Sequence, residues 1–201
     1  MSELGKLEKP TVDSFMGKKK LYCVPNVIFF KDLPNEYETL SNRYWADVFI
    51  QLDKLETAWE IQKIFCENIY ISGEEALNVL EKTNQKAFEL IKQRIEKGAS
   101  LIPLENKELL GEFIDWRNCL GVVRTPDIFR KVYDFYAEAL NKRLEHVQNT
   151  ILSNMHEGEA SLLIMEDEMR AKIQFPPDIE VFLVRPPSYD DIIKWFRENM
   201  Q

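Results

Sequence analysis

The chain has 201 residues, 45% of them hydrophobic and 30% charged, which supplies one buried core and excludes a disordered polymer. Its 26 Lys and Arg against 34 Asp and Glu leave a net charge of −8, a poor surface for phosphate neutralisation and so for nucleic acid. The 7 Gly and 9 Pro are scattered and no internal repeat is present, so collagen-like and low-complexity readings fail.

No stretch approaches the roughly 20 apolar residues of a membrane span. The opening MSELGKLEKP lacks the apolar core of a secretory signal, which predicts a cytoplasmic protein. Cys23, Cys66 and Cys119 are odd in number, far apart and without metal-ligand spacing, so they read as reduced thiols packed among apolar neighbours.

Residues 1–17 are polar and hold Gly5, Pro10 and Gly17; they read as a flexible arm before a single domain over 18–201. Lys18, Lys19 and Lys20 form the only basic cluster, too short for more than a weak phosphate contact. The run 21–30 (LYCVPNVIFF) does not alternate, the habit of a strand covered on both faces. Pro25 donates no ladder bond, so the strand ends, bulges or lies at an edge there.

Asp32 is positioned to cap a helix entering at Leu33-Pro34, with Tyr37, Leu40, Tyr44, Val48, Leu52, Leu55 and Trp59 as its stripe. Trp45 falls off that stripe and is expected to be exposed. Residues 61–71 favour a strand, although a continued helix fits their spacing too. Ser72 and Glu75 make a capping-box pattern for a helix over 73–82. A further amphipathic helix over 84–97 stops at Gly98, where positive φ is needed.

Residues 99–104 read as a short strand weakened by Pro103, and 106–120 as a helix stopped by Gly121. Thr125-Pro126 starts a long helix with an apolar face from Phe129 to Met155, about eight turns. Residues 160–165 and 179–184 are buried-strand patterns, separated by a charged stretch expected to form a hairpin or an extended crossing. Ser188 then caps a final helix. Strands alternating with helices predict an α/β domain, a small and largely parallel sheet flanked by long amphipathic helices. The alternative is a helical bundle with a C-terminal β-hairpin.

No nucleotide-binding glycine loop, nucleophile elbow or metalloprotease motif is present, and the two histidines, His146 and His156, have no ligand spacing. Position must therefore stand in for motif. Open parallel sheets bind ligands beyond the carboxyl ends of their strands. Those ends carry Asn26, Glu67, Glu105, Glu166, Asp167 and Arg185, the expected binding set. Converging carboxylates can hold a divalent cation, keep a proton, or pair with a cationic ligand. An adjacent arginine can clamp an anion. The aromatic residues read mainly as core, with Pro186-Pro187 shaping a pocket lip.

The order of the LYCVP strand, Glu67 after a second strand, a long helix and EGEASLLIMEDE resembles the TraB/Tiki/ChaN-type α/β group. The resemblance implies a metal-dependent hydrolytic site built from histidines after the first and a late strand, with a glutamate. Here those places hold Pro25-Asn26 and Glu166-Asp167-Glu168, so only Glu67 carries over. The favoured reading is a non-catalytic binding or interaction protein, self-associating or bound to a protein partner, without cofactor, membrane or nucleic acid. The alternative is a metal-dependent hydrolase or small-molecule enzyme, with Glu67, Glu105, Glu166 and Asp167 on a divalent metal ion and Arg185 on substrate. An RNA-linked role ranks last.

Overall fold

The computed structural model describes residues 17–28 and 33–199. The strands are β1 (Lys19–Pro25), β2 (Ile61–Cys66), β3 (Ser100–Pro103), β4 (Ala160–Met165) and β5 (Ile179–Leu183). The helices are α1 (Asn35–Glu56), α2 (Gly73–Thr83), α3 (Gln85–Glu96), α4 (Lys107–Val122), α5 (Pro126–Asn154), α6 (Asp167–Arg170) and α7 (Pro187–Asn199). The sheet order is β3-β2-β4-β1-β5 and every pairing is parallel. The α/β expectation holds, and both ambiguous segments contain strands.

Both faces of the sheet are covered, which explains why its central strands read as continuous apolar runs. One face (Tyr22, Val24, Ile64, Cys66, Leu162, Ile164) packs on α1, α2, α3 and α7. The other (Leu21, Cys23, Phe65, Leu163, Met165) packs on α4, α5 and Met169 of α6. The chain therefore leaves β1 and β2 toward the first face and β4 toward the second. Since β4 lies between β2 and β1, the connections part on either side of it, opening crevices at the carboxyl edge.

Pro25 ends β1, an interior strand of the sheet, without costing a ladder bond. Asn26 N–H reaches Met165 O on the β4 side, and Cys23 O accepts from Val184 N–H on the β5 side. The N–H that Pro25 lacks thus faces β5, beyond the last register pair, Cys23 with Leu183.

Several expectations are corrected. Trp45 is buried, at 1% exposure, and its indole N–H donates to Val27 O at 3.1 Å. The buried arc of α1 runs through Ser41, Tyr44, Trp45, Val48 and Leu52, wider than one stripe because α7 packs beside it and the sheet beneath. The charged stretch after β4 forms the single-turn α6 rather than a hairpin. Neither Ser72 nor Thr125 makes a side-chain cap, and Ser188 lies inside α7, donating to Asp47 at 2.6 Å. Helix α4 runs through Gly121 to Val122, whereas Gly98 follows α3 with φ +109° as expected. The cap expected at Asp32, and residues 1–16 of the arm, lie outside the described residues.

Lys18 and Lys19 pair with Glu180 and Asp178, and Lys20 is buried over the Trp59 ring. The basic cluster is thereby tied into the start of β1. In α5, buried positions begin only at Ala139, and α4 buries only Leu110 and Phe113. The end of α4 and the first half of α5 form a helical hairpin that exposes Val122, Ile128, Phe129, Tyr133 and Phe135. Among the described residues no helix is long and apolar enough to cross a membrane.

Candidate functional site

At the carboxyl edge, β1 delivers Asn26, β2 delivers Glu67, and β4 delivers Glu166. These three line one cavity of about 290 Å³, walled by Val27, Ile28, Tyr37, Tyr189, Ile192, Ile193 and Phe196. Helix α7 supplies the aromatic wall because its buried face turns Tyr189, Ile192 and Trp195 toward α1. Tyr37 is fixed by donating to Ile28 O at 2.7 Å.

The polar floor is assembled as a relay. The Asn84 carbonyl oxygen caps α3 by accepting from Ala87 N–H, and its amide N–H donates to Asn26 Oδ1 (2.8 Å) and Val27 O (3.2 Å). With its oxygen so engaged, Asn26 turns its amide N–H to Glu67 Oε1 at 2.7 Å. Glu67 is 6% exposed. Burial pushes its carboxyl up to about 7. The Glu166 main-chain N–H, Asn26 and the charge of Arg143 oppose this, and the Glu166 carboxylate reinforces it.

Glu105 has a different fate. Arg143, from α5, grips both of its oxygens with Nε and Nη2, and Asn68 N–H donates to Oε1 at 3.2 Å. Asn68 makes this possible by adopting φ +66°, a left-handed conformation that asparagine tolerates well. Glu105 and Arg143 are 4% and 3% exposed, and the guanidinium lies 4.6 Å from the Phe113 ring centroid.

The strand-end set is thus brought to one edge but divided. Asn26, Glu67 and Glu166 share the cavity, while Glu105 stands behind them, bound to Arg143. Asp167 and Arg185 pair at 3.2 Å on the rim, where Arg185 also meets Asp190 and lies over the Tyr189 ring. Tyr189 is itself pushed up to about 12 by burial and neighbouring carboxylates. Among the described residues, no three His, Cys, Asp or Glu side chains are grouped to hold a metal ion.

Sequence reasoning missed Arg143 and Asn84. Arg143 lies on the apolar stripe of its helix, between Leu140 and Leu144, and a charge in such a place signals a buried partner. Asn84 read as a helix boundary, and only the fold brings it against Asn26. No family model matches the chain, and no curated protein or solved structure is significantly similar to it.

Proposed function

We propose that this is a non-catalytic binding protein that seats a small ligand in the crevice beside β4, with Glu67 as the anchoring group. The observation that carries this reading is a buried carboxyl, oriented by Asn26, at the floor of a cavity whose walls, Glu166 aside, are apolar and aromatic. Few converging polar groups in an apolar pocket are the usual composition of a ligand site. The lining residues described include no His, Cys, Ser or Lys, and burial holds the Tyr189 phenol protonated. Beside Glu67 the lining therefore offers one further carboxyl, Glu166, and no serine, cysteine, histidine or lysine to act as an activated nucleophile or its base. The metal-hydrolase alternative is less well supported, because Glu105 is committed to Arg143.

The test is a fragment screen read by amide chemical shifts, on the native chain and on Ile193→Trp, which fills the cavity from its half-buried wall. Hits that move Asn26, Glu67, Tyr189 and Phe196 in the native chain and vanish in I193W support the reading. Hits confined to other surfaces overturn it.

The α4–α5 hairpin supports a second reading, self-association. Its exposed aromatics stack, Phe135 on the half-buried Trp116 at 4.8 Å and Phe129 on Tyr133 at 6.5 Å between centroids. Several exposed aromatic side chains on one hairpin are the composition of interface anchors.

A further inference from the structure

Resting on the reading of this crevice as a ligand site, we propose that its ligand is a compact organic cation of the alkylammonium class. Three features point the same way. The described lining residues carry two carboxylates, Glu67 and Glu166, and no lysine or arginine. Three aromatic rings, Tyr37, Tyr189 and Phe196, wall the same space, with the Arg185 guanidinium already over one face of Tyr189, and aromatic faces attract ammonium groups by their quadrupoles. A volume of about 290 Å³ suits a ligand of small size.

The neighbouring cations are already engaged. Arg143 comes from the second face of the sheet and is held by Glu105. Arg185 is paired with Asp167 and Asp190. Glu67 thus lacks a paired cation of its own, and burial, opposed only in part by the charge of Arg143, raises its affinity for a proton. An ammonium ion entering the crevice replaces that proton, so binding strengthens with pH across the titration of Glu67. The groups facing Glu67 are Asn26 after β1, the Glu166 main chain and carboxylate after β4, and Arg143 from α5.

The experiment titrates the intact protein with choline, its uncharged isostere 3,3-dimethylbutan-1-ol, and the anion 3,3-dimethylbutanoate, following amide shifts at pH 6 and pH 8. Choline does not titrate, so any pH dependence of its binding belongs to the protein. Choline is expected to move Asn26, Glu67, Tyr189 and Phe196 and to bind about tenfold more tightly than the alcohol, the scale of one cation–π contact or ion pair. That preference should weaken by about tenfold at pH 6, and be lost in Glu67→Gln at pH 8. If the alcohol or the carboxylate binds these residues as tightly as choline, the cation class is wrong and the ligand site stands. If no probe of any charge moves them, both fall.

Discussion

Glu67→Gln isolates the energetic consequence of burying one carboxyl. The native carboxyl titrates at about 7 against an ordinary value of 4.5. At 1.36 kcal/mol per pH unit, that gap corresponds to about 3 kcal/mol. The native state holds the proton more tightly than the unfolded chain, so this stability is fully present below about pH 4.5. It is lost as pH rises to about 7, and the curve is flat above. Between pH 5 and pH 8 the wild type should lose about 2.5 kcal/mol that the glutamine variant retains. Glutamine keeps an oxygen for Asn26 but turns an amide toward the Glu166 main-chain N–H, a mismatch of about 1 kcal/mol. That cost does not vary with pH and cancels in the comparison. Guanidinium unfolding of both proteins at pH 5, 6, 7 and 8 measures the difference, expected in heating experiments as about 5–10 °C. A difference between variant and wild type that stays within about 0.5 kcal/mol from pH 5 to pH 8 would refute the assignment of a high-affinity proton to Glu67.

Arg143→Met leaves Glu105 buried without its cation and should cost about 3–5 kcal/mol in denaturant unfolding, most of it restored by adding Glu105→Leu. Asn84→Ala removes both the cap of α3 and the group that orients Asn26. About 1–2 kcal/mol of stability should be lost, and carbon-13 titration should find the Glu67 carboxyl moved higher. Replacing Phe129, Tyr133 and Phe135 with serine should cost about 1–3 kcal/mol in lost ring contacts, since each is only about half exposed, while the fold persists. The same variant should sediment as a smaller species than the wild type; a wild type that is already monomeric at about 100 µM sinks the self-association reading, since weaker pairing is seldom specific.

The layout of the sheet was legible because buried parallel strands must be apolar on both faces: 160–165 carries that signature with only Ser161 in it, and the edge strand in 179–184 carries it with Glu180 turned to Lys18. Segment 61–71 was ambiguous because isoleucines spaced three and four apart satisfy helix and strand alike; the register of β2 with β4 decides it. The position of Trp45 was misread because a single-stripe picture ignores α7, which sequence-local periodicity cannot see. The candidate site was legible in its address but not in its wiring. Strand ends locate Asn26, Glu67 and Glu166. That Glu105 is neutralised depends on Arg143, 38 residues further on, and on a turn at Asn68.

Glu67 and Glu105 make the informative pair, because both follow adjacent parallel strands and both are buried. A buried carboxylate persists when it is paired and hydrogen-bonded, and otherwise takes up a proton. Glu105 follows the first course, with two arginine nitrogens and a main-chain N–H. Glu67 receives an asparagine amide and the Glu166 main-chain N–H, which orient a carboxyl without neutralising it. If both served only to hold the fold, a leucine at position 67 would solve the same packing problem at no electrostatic cost. The Glu67 carboxyl opens onto a cavity, with its direction fixed by a relay reaching back to the start of α3. On the proposed reading the charge of a group so placed is answered from outside the chain, and that asymmetry is the strongest argument for a ligand in the crevice beside β4.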